Sequence, residues 1–202
     1  PPYISTDRGI TMPALEPVDF NWSAMQTTYL SNDTASVNAL AAATLTLYCA
    51  QSVQMNFKTS SSSATTAIIP LAISNYFGYN PSAHPLRRVN YTTQGWADAL
   101  YAELAAGRPV IYSASKASSG HAFVCDGYDG NGMFHINWGW NGQSNGYFLL
   151  NVLKPDLQGT GSASGAYGYI YRQAAIVGIE PGSDGSSVFE LTSNNVELID
   201  KT

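Results

Sequence analysis

The 202-residue sequence predicts an α+β domain, and three observations predict it. Helical periodicities occupy the first half, and antiparallel strand signals occupy the second. An Asp-Gly-Asn-Gly turn at residues 129–132 joins the two strongest strands. With 45% hydrophobic and 12% aromatic residues, a chain of this length can bury one good core. Residues 1–181 are read as one domain. Residues 182–202 are read as a linker or the start of a following segment.

The elements follow in order. Residues 1–30 contain Pro1, Pro2, Pro13 and Pro17 and read as an extended, irregular lead-in pinned by Phe20 and Trp22. Ser31-Asn32-Asp33-Thr34 is a helix-start cluster. The helix after it, Ala35 to Gln51, places Val37, Leu40, Ala41, Leu45 and Tyr48 on one stripe. Residues 59–63 form a polar loop. A second helix spans Thr65 to Phe77, where Pro70 fits only within the first turn, and Gly78 stops it. A third helix runs from Gln94 to Ala106. Thr93 caps it, Trp96, Leu100 and Leu104 form its buried face, and Gly107 ends it. The strands are Val110 to Ser113, His121 to Gly127, Met133 to Trp138, Tyr147 to Leu150 and Ala174 to Ile179. Gly159 to Tyr169 is a glycine-rich loop. Helices first and antiparallel strands second make the α+β class.

Composition narrows the function. Charged residues make up only 11%, against roughly 25% in an average domain. Ser, Thr, Asn, Gly and 13 tyrosines must supply the polar surface, which suits a secreted bacterial protein. A net charge of −5 argues against nucleic acid as partner, because phosphate binding needs clustered Lys and Arg. Arg87-Arg88 is the only basic pair and reads as a solvated loop. No run approaches the ~20 apolar residues of a membrane span. No signal peptide is visible, and the Pro1-Pro2 opening reads as a cut start. Two cysteines, Cys49 and Cys125, exclude a disulfide-rich scaffold and a four-thiolate zinc site.

The chemistry concentrates in residues 119–142, SGHAFVCDGYDGNGMFHINWGWNG. The turn folds Met133–Trp138 back along His121–Gly127. That brings the His121 and Asn137 ends within a residue or two of register. An imidazole beside a carboxamide oxygen gains one fixed tautomer, with the other nitrogen left as a base. Trp138, next along the chain, can cover that hydrogen bond. A histidine on a strand is more often structural, and Trp-Gly-Trp more often packs a core. The conjunction of Gly-His, Asp-Gly-Tyr-Asp-Gly and Asn-Trp-Gly-Trp is what favours a site. A metal set of His84, His121 and His135 is disfavoured, because no Glu-x-x-His or similar spacing exists. No cofactor is expected.

These residues resemble the streptopain family of papain-like bacterial cysteine peptidases. The family pattern is Gly-His-Ala-Phe-Val-x-Asp-Gly-x-Asp-Gly followed by His-x-Asn-Trp-Gly-Trp. Gly120 to Gly130 and His135 to Trp140 occupy those places. Asn75 to Asn80, Leu104 to Val110 and Ala175 to Pro181 extend the likeness, so it spans about Trp22 to Pro181. The resemblance implies a papain-like fold, with helices in the first half and an antiparallel sheet or half-barrel in the second. It implies a secreted or cell-surface cysteine endopeptidase acting on protein or peptide substrates. His121 would be the general base and acid, Asn137 its orienting group and Trp138 the shield. Ser63 and Trp140 would line the substrate cleft, Gly120 would offer backbone to the peptide, and Gly159 to Tyr169 would border the cleft.

The family's nucleophile begins an early helix in a Gly-Cys-Val-Ala-Thr type segment, and that segment is not among these residues. Cys125 lies four residues along the strand from His121, about 13 Å away at ~3.3 Å per residue. Cys49 sits mid-helix in an apolar run. The peptidase domain is therefore expected to be N-terminally incomplete and inactive alone, partnered by its missing segment or a propeptide. The alternative is a non-catalytic, peptidase-like module that binds protein or glycan.

Overall fold

The computed structural model describes residues 2–5, 9–59, 61–117, 119–156 and 168–182. Most of the predicted Gly159 to Tyr169 loop, and the 182–202 segment beyond Gly182, lie outside the described residues. The chain divides into two compact units, Pro1–Ile68 and Ile69–Thr202.

In the first unit, β1 (Tyr3–Ser5) pairs antiparallel with β2 (Ile10–Met12), Tyr3 opposite Met12. The expected irregular lead-in thus contains a hairpin. Strands of three residues leave no period to read, and this one is held from elsewhere in the unit. The Tyr3 hydroxyl donates to the Met55 carbonyl at 2.8 Å, and Ser5 Oγ donates to Asn56 Oδ1 at 2.9 Å.

The first helix, α1 (Val37–Ser52), starts two residues later than expected. Ser36 is its N-cap and accepts from the Ala39 N–H at 3.1 Å. Asp33 accepts from both the hydroxyl and the N–H of Ser36, which holds its carboxyl below the usual range. The buried face differs from the predicted stripe. Ala41 and Gln51 are buried, whereas Val37 and Leu40 are exposed. Polar contacts from the lead-in decide this. Gln51 Nε2 donates to the Pro13 carbonyl, and the Tyr48 hydroxyl donates to the Glu16 carbonyl at 2.6 Å. Phe20 packs edge-on against Trp22 and Tyr48, with ring centroids 5.5 Å away in each case.

The second unit opens with α2 (Ile69–Tyr76). Pro70 occupies its second position, where a missing N–H costs little. Gly78 follows at φ +69°, a left-handed stop. The next helix, α3 (Thr93–Ala105), is capped by Thr92 rather than Thr93, with Oγ1 accepting from the Gly95 N–H at 3.0 Å. Trp96, Leu100 and Leu104 are buried, as their spacing predicts.

Six strands form one antiparallel sheet: β3 (His84–Arg87), β4 (Val110–Lys116), β5 (Ser119–Tyr128), β6 (Phe134–Asn137), β7 (Gly146–Phe148) and β8 (Tyr171–Val177). Their order is β3-β8-β4-β5-β6-β7. The unexpected strand is β3, whose Pro85 argues against a strand. It survives because it lies at the sheet edge, where a missing donor is tolerated.

The α3 face packs on this sheet. Trp96 Nε1 donates to the Tyr112 hydroxyl at 2.9 Å, and Tyr112 stacks on Phe123 at 5.1 Å. Burial pushes the Tyr112 phenol well above its usual value. The register between β5 and β6 pairs Tyr128 with Phe134, Gly127 with His135, Cys125 with Ile136 and Val124 with Asn137. Asp126 is the extra residue of a β-bulge.

Candidate active site

Register builds the site. Beyond Val124–Asn137, where the ladder ends, Trp138 lies against Phe123 and Trp140 against His121. The ring centroids of these pairs lie 4.6 Å and 4.9 Å apart. The His121 ring is nearly parallel to Trp140 and Trp138, at 25° and 13°. Phe123 and Tyr169 stand 5.9 and 5.8 Å from it. Four aromatic rings therefore hold the plane of one half-buried imidazole. Lys116 Nζ lies 5.5 Å over the Tyr169 ring.

The tautomer follows from one hydrogen bond. His121 Nε2 lies 2.8 Å from the Trp138 carbonyl oxygen. A carbonyl can only accept, so Nε2 carries the hydrogen. In the neutral ring Nδ1 then carries the lone pair. Among the described residues Nδ1 has no hydrogen-bond partner. The arrangement is a base with a fixed orientation and one working nitrogen.

Asn137 does not reach the ring in this structure. Its Oδ1 accepts from the Gly139 N–H at 3.0 Å, closing an Asx turn. Lying opposite Val124, it falls on the other face of the sheet from His121. Gly139 sits at φ +74°, which lets the chain reverse and bring Trp140 back over the imidazole. Asn145, missed from the sequence, completes the turn: its Oδ1 accepts from the Trp138 N–H at 3.0 Å. That bond steadies the residue whose carbonyl holds His121. An Asn closing a Gly- and Ser-containing turn was the available signal. Tyr169 lies at the described end of the predicted cleft loop.

Trp138 is fully buried, and among the described residues its Nε1 meets no acceptor. Gly120 is exposed on β5. A Cβ there would meet nothing nearer than the Ala114 carbonyl at 3.8 Å, so packing does not require glycine. Ser63 belongs to the first unit, exposed in a bridge with Asn56. His84 Nδ1 bonds the Ser82 carbonyl at 2.8 Å, and His135 Nδ1 bonds Asp126 Oδ1 at 2.5 Å, so neither shares a partner with His121. Two clefts, of about 670 and 630 Å³, are lined by other residues of the second unit.

Neither cysteine is poised as a nucleophile. Cys125 is fully buried, and desolvation followed by the Asp126 charge drives its thiol far above the usual range. Cys49 lies toward the C-terminal end of α1, and desolvation raises its thiol as well. A helix C-terminus adds no help to a thiolate.

Residues 5–148 match the Peptidase C10 family. Streptopain from Streptococcus pyogenes is 36% identical over 181 residues, covering 89% of this chain and 44% of that protein. The thiol protease/hemagglutinin PrtT of Porphyromonas gingivalis is 39% identical over 165 residues, covering 82% of this chain and 19% of that protein. The chain thus spans less than half the length of these relatives. Among solved structures, the active wild-type interpain A cysteine protease of Prevotella intermedia superposes with a TM-score of 0.68 at 32% identity. That match covers 78% of this chain and 63% of the other. A fixed imidazole at a sheet end, an α+β fold shared with interpain A and a family match over most of the sequence agree: the chain belongs to the Peptidase C10 family, the streptopain-like group of papain-like cysteine peptidases.

Proposed function

We propose that this chain supplies the base half of a secreted bacterial cysteine endopeptidase. One observation carries the reading: the Nε2–H of His121 is held by the Trp138 carbonyl inside a ring of aromatics, which leaves Nδ1 to move protons. The thiolate comes from a segment outside these residues: Cys125 is fully buried four residues along β5 from His121, and Cys49 sits near the C-terminal end of α1, where no helix N-terminus favours a thiolate. Thiolate and imidazolium form the resting pair. The sulfur attacks the substrate carbonyl carbon, and the C=O electron pair moves onto oxygen. Collapse expels the amine, which takes its proton from Nδ1. Nδ1 then accepts a proton from water as the water oxygen attacks the thioester. The second collapse releases the carboxylic acid and restores the thiolate.

Asn137 orients His121 through the turn it closes rather than by touching the ring. Trp138 shields the imidazole N–H from competing water. Trp140 and Gly120 serve as substrate contacts. The glycine at 120 supports that role, since no neighbour demands it. Secretion accords with the low charged fraction of 11%. Among the described residues no helix is long and apolar enough to cross a membrane.

An epoxide peptidase inhibitor and a fluorogenic peptide test the reading. The 202-residue chain alone should be neither labelled nor active, and labelling at Cys49 would overturn the assignment of the nucleophile. A second reading is a non-catalytic module that binds protein or glycan through the aromatic side chains around His121. Serine or alanine at the nucleophile position of the parent protein would decide for it.

A further inference from the structure

The motif that marks the site contains two residues without a role in the chemistry above, Asp126 and His135. We propose that they are positioning residues: a register lock that decides which side chains of β6 share a face with His121. The proposal rests on His121 being the catalytic base.

The bulge carries the argument. Starting from Tyr128–Phe134 and Gly127–His135, an unbroken ladder would set Asp126 opposite Ile136 and Cys125 opposite Asn137. Side chains alternate with a period of two, so that slip would turn Ile136 and Trp138 away from the face holding His121, Phe123 and Cys125. The observed register avoids it. With Asp126 extruded, Cys125 meets Ile136 and Val124 meets Asn137. Both ends of the hairpin then face the core, Tyr128 and Phe134 at the turn, Phe123 and Trp138 near His121. The Trp138 carbonyl arrives where the imidazole N–H can use it.

Four residues converge on the place where the register shifts. Asp126 Oδ1 accepts from His135 Nδ1 across the two strands at 2.5 Å. Tyr147 of β7 stands edge-on to the His135 ring at 5.2 Å. Gly127 leaves room for that ring, because a Cβ there would lie 3.0 Å from the His135 Cβ. An extruded residue costs ladder bonds. A side-chain bond made only when Asp126 is the extruded residue selects this register over the regular one. A second register shift lies between β4 and β8. There the buried Gln173 donates to the Leu150 and Tyr169 carbonyls at 2.6 and 3.2 Å.

NMR of the 202-residue chain tests the lock without any activity. In the wild type, the His121 Nε2–H should appear as a slowly exchanging downfield proton, with cross-strand contacts between Cys125 and Ile136. Asp126→Ala should lose both signals, and Asp126→Asn, which can still accept from His135, should keep both. Unchanged signals in the Ala variant would make the pair an ordinary surface contact and end the proposal. Loss in Ala without recovery in Asn would also end it. If Asp126→Ala does not fold, the double variant Asp126→Thr with His135→Val, which keeps strand-forming residues at both positions, takes the same reading. In the complete enzyme, Asp126→Ala should lower kcat about 10- to 100-fold at similar KM, the scale of an ångström-level misplacement. Full turnover by His121→Ala would overturn the peptidase reading instead and leave the NMR result standing.

Discussion

His121 and His135 lie on the two strands of one hairpin and differ in what accepts their N–H. His121 gives its hydrogen to a neutral backbone carbonyl among stacked rings. His135 meets a carboxylate across the opposite face. A carbonyl fixes the ring and leaves the second nitrogen available for proton transfer. The carboxylate 2.5 Å from His135 ties β6 to β5, which suits that imidazole to a strut. Residue type alone therefore says little about which histidine does chemistry. The face of the sheet and the acceptor on it divide the two roles.

The sharpest way to break this comparison is His121→Ala in the complete enzyme. Turnover should fall by about 10²- to 10⁴-fold, the usual share of general acid–base catalysis, while the melting temperature changes little. Unchanged kcat would remove His121 from the mechanism. Next is Trp138→Ala, read by urea denaturation. Emptying a fully buried tryptophan site should cost about 3–5 kcal/mol, because both hairpin strands pack on that ring. A loss under about 1 kcal/mol would show that the cage does not organise the His121 end.

His135→Phe should cost about 1 kcal/mol, a hydrogen bond discounted for its half-exposed setting. It should also lower turnover by about the 10- to 100-fold expected of Asp126→Ala, which breaks the same bond, and so by less than His121→Ala does. Equal losses would erase the distinction between base and strut. The smallest effect serves as a control away from both histidines. Hydrogen bonds from Arg108 hold Glu103 below the usual carboxylate range, despite its partial burial. A depressed folded value means that its stabilising contribution is complete above the unfolded value of about 4.3. It is lost as pH falls through the lower folded value. Glu103→Gln should therefore be less stable than wild type near neutrality, with the gap closing in acid. A gap that stays constant with pH would refute it.

Where the pattern was local, the sequence was informative. Trp96, Leu100 and Leu104 lie on one helical face and are buried, because that stripe meets a sheet with a continuous apolar surface. Val37 and Leu40 carry an equally readable stripe and are exposed, because backbone carbonyls of the lead-in claim the face of Gln51 and Tyr48. The strands β1, β2 and β3 were not legible. They are three or four residues long, and their pairing partners rather than their composition make them strands. In the site, His121 and Trp138 were readable from their motif. Asn145 was not, since its role depends on a turn conformation.

By itself, the amino-acid order determined the α+β class, the hairpin and its turn, and the family to which the motif belongs. Those properties arise from periodicity and turn chemistry over short spans. The three-dimensional fold decided the acceptor of the His121 hydrogen, the separation of Asn137 from the ring and the placing of Trp138 beside Phe123. Each of these depends on strand register. One extruded aspartate shifts that register by a residue, and a shift by one changes which side of the sheet every later side chain occupies.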